Sequence, residues 1–183
     1  MNLLTTLGFR YKYFDNNPNN QNTKNPKKRP DCSIRATCIA IGEKDWRKVY
    51  RKACDIGEII GEMPNHGSIH FFILSENGYV TYQISRKKSE DLPIFTSVGD
   101  FLIRNQFTDA VFGINGHMFT VKNRTIYDNL TNINQIDKYI GEPILTLSIK
   151  KDSIGHVFHG YDLSKYHIKE FNPETFQFDK EFL

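Results

Sequence analysis

The sequence lacks any apolar run of about eighteen residues, the length that a helix needs to cross a membrane. Its first residues, MNLLTTLGFRYKYFDNN, also lack the long apolar core and the small-residue cleavage site of a secretory signal peptide. We therefore expect a protein that neither spans a membrane nor carries a signal peptide.

Cysteine is scarce, since the chain has three cysteines, Cys32, Cys38 and Cys54. An odd number with no C-x-x-C pair argues against a disulfide framework and against a zinc site of the usual spacing. We therefore expect no metal and no other cofactor. The same pattern favours a reducing cytoplasm, either of a bacterium or of a cell that hosts a virus.

Strong charge of either sign is also missing, because 24 Lys and Arg against 21 Asp and Glu give a net charge of +3. A short basic run at positions 27–29 lies in a polar stretch and has no aromatic residues between its charges. This composition disfavours nucleic acid as a partner. Aromatic residues are abundant instead, with 14 Phe and 9 Tyr, and they predict a core rich in rings.

The distribution of polar residues divides the chain into three parts. Residues 1–30 are predicted to be a polar, partly flexible N-terminal arm, because NNPNNQNTKNPKKRP has almost no apolar residue; FRYKYF before it has the pattern of an edge strand. Residues 31–150 form the main domain. Residues 151–183 are predicted to be an aromatic-rich C-terminal extension packed on the same domain.

Periodicity in the main domain changes from helical to strand-like. Three segments have the helical spacing of apolar residues. They are Cys32–Ile41, the segment after a predicted N-cap at Asp45, and SIHFFILSE before Gly78. After Gly78, the alternating runs YVTYQIS, DAVFGIN, HMFTV, TIYDNL and PILTLSIK predict strands, with a short helix capped by Ser97 among them. Helices first and antiparallel strands afterwards predict an α+β fold.

Cys32 lies where a helix is predicted to begin, directly after Pro30 and Asp31. Unpaired N–H groups and the dipole at a helix N-terminus lower the pKa of a thiol, and the Cys32 backbone N–H would face an oxyanion. Asp31 has the opposite effect on the thiol, so a cationic partner, normally histidine, is required. Cys38 and Cys54 lie in the middle of helices among apolar neighbours and are predicted to be core residues.

His117 is the predicted partner, at the start of a strand and directly after a glycine. With a two-residue turn at 123–124, Asp128 lies diagonal to His117 on the same face, within reach of its ring. A three-residue turn would shift the register by one and bring Asn129 there instead. Either residue would orient the imidazole, and we favour Asp128 because a charged hydrogen bond stabilises the imidazolium.

The other histidines provide alternatives. His156 also follows a glycine and is the competing base, and His156 with His159 has the spacing of metal ligands, although no Cys or Glu nearby completes a site. His66 and His70 are predicted to lie on the surface, and His167 lies in the polar tail.

The segment DCSIRA is followed by a predicted helix with Trp46 and Tyr50 and then by NGHMFTVKNRTIYD. These motifs, in this order, resemble small papain-like cysteine peptidase homologues from phages and bacteria. The resemblance spans about Pro30 to Asp128. It implies a papain-like fold in residues 31–150, with the nucleophile at a helix start packed on a C-terminal antiparallel sheet. Carried over onto this sequence, the family pattern makes Cys32 the nucleophile, His117 the base and Asp128 the orienting residue.

Papain-like enzymes also place a glutamine before the nucleophile as a second oxyanion donor. Here Asn25 is the nearest amide and Gln21 lies further away, so these two residues are the candidates beside the Cys32 backbone.

The sequence therefore predicts a thiol hydrolase that attacks a peptide, isopeptide or glutamine amide bond in a protein or peptide substrate. The alternative is a catalytically silent papain-like binding module, for example a viral protein that engages a host factor.

Overall fold

The computed structural model describes residues 3–18, 31–86, 97–106, 108–128 and 141–182. Within these residues the chain has an α+β fold with six α-helices and an eight-stranded mixed sheet. The helices are α1 (Leu3–Thr6), α2 (Cys32–Ile41), α3 (Trp46–Ile60), α4 (Gly67–Glu76), α5 (Val98–Arg104) and α6 (Ile154–Val157). The strands are β1 (Arg10–Tyr13), β2 (Tyr79–Arg86), β3 (Ala110–Ile114), β4 (His117–Lys122), β5 (Thr125–Asp128), β6 (Thr146–Lys150), β7 (Tyr166–Asn172) and β8 (Gln177–Glu181).

The strands lie in the order β1-β5-β4-β3-β6-β2-β7-β8. All neighbouring pairs are antiparallel except β1 and β5, which are parallel. The α+β class and the edge strand in FRYKYF are therefore as the sequence predicts. The strands from β2 to β8 pair in the antiparallel direction as the sequence predicts, and the N-terminal strand β1 adds to one edge in the parallel direction, which makes the sheet mixed.

The first part of the N-terminal segment belongs to the folded domain. Leu4 and Phe9 are buried in the main core cluster, where α1, α5 and α6 cover one face of the sheet. Residues 3–17 are therefore part of the domain, while residues 19–30 of the predicted arm lie outside the described part of the chain.

Helix α2 forms because its small and β-branched residues fit between α3, α4 and the sheet. Ile34, Ala36, Cys38 and Ala40 are buried along its length. Thr120 on β4 donates a hydrogen bond to the Ala36 carbonyl at 2.7 Å, which fixes the helix against the strand. The helix is held at both ends of its contact with the sheet, and its first residue is Cys32.

Helix α3 begins as the sequence predicts, since the Asp45 carboxylate accepts a hydrogen bond from the Arg47 backbone N–H at 3.0 Å. Trp46, Val49 and Ala53 pack into a cluster with α2 and α4. Tyr50 stacks on the Trp46 ring with centroids 4.7 Å apart and stays exposed. With 15 residues, α3 is the longest helix in the described ranges, and none there is long and apolar enough to span a membrane.

Two tight turns set the register of β3, β4 and β5. Asn115 and Gly116 connect β3 to β4, and Gly116 has a φ of 71°. Asn123 and Arg124 connect β4 to β5 with φ angles of 49° and 56°, the left-handed pair typical of a two-residue hairpin turn. The two-residue alternative is therefore correct, and continuing its register places Asp128 opposite Phe119.

The C-terminal extension completes the sheet, because β7 pairs with β2 and β8 pairs with β7. Its rings pack on the preceding elements. Phe171 and Phe178 meet Phe71 of α4 edge to face, with centroids 5.7 and 5.5 Å away. Phe182 meets Tyr82 of β2 with a centroid separation of 4.9 Å. The described residues after Lys150 therefore pack on the same domain.

Candidate active site

Cys32 is the first residue of α2 and is half-buried at the end of the sheet where β4 begins. Its thiol is hydrogen-bonded to the His117 side chain, and the backbone N–H of Met118 also points at the sulfur. Backbone N–H groups in the first turn of a helix have no partner inside the helix, so the Cys32 N–H is available to a ligand. The nucleophile candidate and the base candidate are thus in contact.

The His117 ring is held between two partners. Its Nε2 lies 2.8 and 3.0 Å from the two carboxylate oxygens of Asp128, which is buried. This arrangement leaves Nδ1 for the Cys32 thiol. The ring also stacks over Phe119, with centroids 6.2 Å apart and an angle of 21° between the planes. The imidazole is therefore oriented by a charged bond and by packing.

Strand β1 fixes the backbone of Asp128. The Phe14 N–H donates to the Asp128 carbonyl at 2.7 Å, and the Tyr11 hydroxyl donates to the same oxygen at 3.3 Å. Tyr13 lies opposite Asp128 in the parallel pair of β1 and β5. The N-terminal strand thus holds the residue that orients His117.

A buried ionic network surrounds the start of α2. The Asp31 carboxylate forms an ion pair with Arg35 one turn later, and both side chains are 6% exposed. Arg35 also lies 3.7 Å from Asp15, and Asn17 donates to Asp31 at 2.7 Å. Asp31 stands at the N-cap position as the sequence predicts, but its side chain makes no capping hydrogen bond, because these partners hold it.

The electrostatics at Cys32 favour the thiolate. Burial has the largest single effect on the Cys32 pKa and raises it. The hydrogen bond and charge of His117, the Met118 N–H and the charge of Arg35 together outweigh burial, so the pKa of Cys32 lies below its ordinary value of 9.0.

The same contacts act on His117 in the opposite sense. Burial lowers its pKa, but the hydrogen bonds and charges of Asp128 and Cys32 raise the pKa of His117 from 6.5 to about 9. A lowered thiol pKa beside a raised imidazole pKa shifts the equilibrium between the neutral pair and the thiolate–imidazolium pair toward the charged pair.

Cys38, on the same helix, lacks this environment. It is fully buried, and burial raises the pKa of Cys38 to about 11. Two thiols six positions apart on one helix therefore differ sharply in their tendency to ionise.

An open groove of about 560 Å³ leads to Cys32 and His117. Helix α4 and the segment before it form one wall, and the ends of β2, β3, β4 and β6 form the other. The lining residues are Cys32, Ser33, Asn65, Gly67, Phe71, Gln83, Ile84, Ser85, Gly113, Ile114, Gly116, His117, Met118, Leu145 and Thr146. The sulfur and the ring therefore face a space that would admit an extended chain.

Comparisons with known families and proteins gave no match. The chain matches no family model, and no curated protein and no solved structure is similar to it. What the site does must therefore be argued from its geometry.

The remaining histidines lie away from these contacts. His156 and His159 are exposed at and after α6, and neither lines the groove. His66 is exposed as predicted, and His167 is also exposed. The prediction of a surface position for His70 is wrong, because this side chain is fully buried. No group of three His, Cys, Asp or Glu side chains suited to a metal occurs in the described ranges.

Three predicted candidates lie outside the described residues, namely Gln21 and Asn25 as oxyanion donors and Asn129 as the alternative orienting residue. Conversely, sequence reasoning did not find Arg35, although its i,i+4 spacing from Asp31 on a predicted helix is a recognisable signal. No comparable spacing in the sequence indicates Asp15 and Asn17, because the pairing of β1 with β5, far away in the chain, brings them to the site.

Proposed function

We propose that this protein is a thiol hydrolase with a papain-like arrangement, in which the nucleophile at a helix start meets a histidine on the sheet. The observation that carries the proposal is the chain of contacts from Cys32 to His117 to Asp128 at the end of an open groove. The substrate is an amide of a protein or peptide: a backbone peptide, an isopeptide or a glutamine side chain.

In the first half-reaction the Cys32 thiolate attacks the acyl carbon and forms a C–S bond, while the carbonyl π electrons move to oxygen. The Cys32 N–H at the start of α2 stabilises that oxyanion. The C–N bond then breaks as imidazolium His117 gives its proton to the leaving nitrogen. The products are an amine and a thioester on Cys32.

In the second half-reaction neutral His117 takes a proton from water, and the resulting hydroxide attacks the thioester carbon. The C–S bond breaks, the carboxylic acid leaves, and the thiolate–imidazolium pair is restored. Asp128 keeps its bond to Nε2 throughout, which directs Nδ1 to the sulfur and stabilises the imidazolium.

A proteome-derived peptide library tests the proposal and separates the three amides. Mass spectrometry after incubation would detect new termini from peptide cleavage and the conversion of glutamine to glutamate, and a panel of lysine-linked peptides would detect isopeptide cleavage. We expect products with the wild-type protein and with Cys54→Ser, and none with Cys32→Ala or His117→Ala. Product formation by Cys32→Ala at the wild-type rate would contradict the proposal.

A further inference from the structure

The groove beside Cys32 is depleted of charge. Asp, Glu, Lys and Arg make up 25% of the chain, yet none of them is among the described residues that line the groove. Among the described lining residues, Cys32 and His117 have the titratable side chains, and His117 is already hydrogen-bonded to Asp128. A charged side chain entering this groove would lose water without gaining an ion-pair partner.

The floor of the groove is apolar and rigid. Phe71, Ile84 and Ile114 line the groove and are buried, and Ile84 and Ile114 belong to the main core cluster. Phe71 is held from behind by the rings of the C-terminal hairpin, Phe171 and Phe178. The Phe71 side of the groove is therefore held in place by packing, independently of a ligand.

Leu145 is the apolar residue in the groove that is most open to solvent, with 43% of its surface exposed. Its backbone is fixed on both sides, because its N–H donates to the Gly113 carbonyl and its carbonyl accepts from the Ile84 N–H, each at 2.9 Å. A leucine that is exposed yet held between two strands presents a fixed apolar surface to any chain in the groove.

The rim of the groove supplies polar groups suited to a peptide backbone. Asn65, Gln83 and Ser85 are exposed there, and their amides and hydroxyl donate and accept hydrogen bonds without carrying charge. Apolar surface for a side chain and neutral polar groups for the main chain therefore lie on the same path to the sulfur.

We propose that the groove binds an extended peptide segment with an uncharged, apolar side chain next to the scissile bond, and that Leu145 selects that side chain. The inference rests on the proposed function, because it names the substrate class of the same site. Burial of an apolar side chain against Leu145 and its neighbours Ile84 and Ile114 favours binding, whereas burial of a lysine or glutamate does not.

The test uses neutral Gly/Ser peptides that differ at one central position, which carries Leu, Lys or Glu. Each peptide is added in excess, and the rate at which iodoacetamide alkylates Cys32 is measured together with peptide turnover. Protection of Cys32 reports that the groove is occupied even where turnover is slow. We expect the Leu peptide to slow alkylation several-fold more than the Lys and Glu peptides.

Leu145→Glu with Leu145→Gln as the matched control tests the role of this residue. Leu145→Glu should reverse the preference, so that the Lys peptide protects best, while Leu145→Gln should weaken the Leu peptide without favouring Lys. Thermal unfolding checks that both variants fold. If Leu145→Glu does not fold, Leu145→Lys replaces it and should favour the Glu peptide.

Equal protection by the three peptides, or protection by none, would overturn the inference, as would an unchanged preference in the folded Leu145 variants. Such a result would leave the proposed function intact if Cys32-dependent turnover persists. Loss of the proposed function shows itself differently, as turnover that does not depend on Cys32.

Discussion

Arg35 and Asp31 form a buried ion pair across one turn of α2, with Cys32 between them in the chain. Asp31 is adjacent to the nucleophile candidate, and an uncompensated carboxylate there would raise the thiol pKa. The pair with Arg35 and the hydrogen bond from Asn17 compensate that charge. The D-C-x-x-R pattern is therefore explained by one local electrostatic unit.

Replacing Arg35 with Met should raise the pKa of Cys32, because Arg35 contributes to its lowering, and should leave Asp31 and Asp15 without their cation. Removing one partner of a buried pair also lowers the free energy of unfolding, by about 3 kcal/mol. The pH dependence of Cys32 alkylation and urea unfolding measure the two effects.

Arg35→Lys is the matched control, since it keeps the charge and should retain most of the alkylation at neutral pH. If the pH dependence of Cys32 alkylation is identical in Arg35→Met and in the wild type, Arg35 has no electrostatic role at the site.

Asp128→Asn should keep the shape of the bond to His117 and remove its charge. Because Asp128, together with Cys32, raises the pKa of His117 to about 9, the alkaline limb of the pH–activity profile should move to lower pH in this variant. Turnover should fall by roughly 10²- to 10⁴-fold, as in other enzymes that lose the carboxylate behind a catalytic histidine.

The same raised pKa has a consequence for stability. The contribution of the His117–Asp128 pair is fully present below pH 6.5 and is lost as the pH rises through about 9. Asp128→Asn should reduce that alkaline loss of stability in chemical unfolding. A loss that is as large as in the wild type and still centred near pH 9 would argue against a bond between Asp128 and the titrating ring.

His70 should make the protein sensitive to mild acid. Its Nε2 lies 2.9 Å from the Pro64 carbonyl and its Nδ1 lies 2.9 Å from the Thr37 hydroxyl, and burial lowers its pKa from 6.5 to about 4. The Pro64 carbonyl can only accept, so Nε2 of the neutral ring carries the proton, and Nδ1 faces the Thr37 hydroxyl, which also donates to the Ser33 carbonyl at 2.8 Å. The unfolded chain takes up a proton near pH 6.5 that the folded chain excludes.

His70 therefore does not reduce the free energy of unfolding above pH 6.5. As the pH drops toward 4, His70 lowers the free energy of unfolding by on the order of 3 kcal/mol in total. Urea unfolding at several pH values should show a smaller acid loss in His70→Gln than in the wild type. His159→Gln, at an exposed position away from His70, should leave the acid loss unchanged; the same slope in all three proteins would refute the assignment to His70.

Gly113 on β3 should not tolerate a side chain, because a Cβ there would collide with the Thr146 hydroxyl on β6. Gly113→Ala should lower the free energy of unfolding by about 1–3 kcal/mol. Thr146→Ala removes the hydroxyl, so the double variant should recover most of that loss. Strictly additive losses in thermal unfolding would show that the two positions do not meet.

Much of the site could be predicted because its signals are local. A helix start at Cys32, a strand at His117 and a two-residue turn before β5 are encoded within about ten residues each, and together they place Asp128 beside His117. The i,i+4 spacing of Asp31 and Arg35 is equally local.

Contacts distant in the chain were not predictable in this way. The hydroxyl of Tyr11 reaches the Asp128 carbonyl across 117 positions, and no pattern in FRYKYF indicates which strand it joins. His70 is a different case, because GSIHFFILSE is apolar all round, which is typical of a buried helix. The buried position of His70 was missed because histidine is a polar residue type.

The central claim is that His117 makes a nucleophile of Cys32, and the most direct test is the rate at which iodoacetamide alkylates each cysteine as a function of pH. Mass spectrometry of the digested protein reports Cys32, Cys38 and Cys54 separately in one sample. We predict that Cys32 reacts at least about tenfold faster than Cys38 near pH 6.5, and that His117→Ala slows the alkylation of Cys32 at this pH several-fold. Equally slow alkylation of all three cysteines in the folded wild-type protein, or a Cys32 rate that His117→Ala leaves unchanged, would contradict the claim.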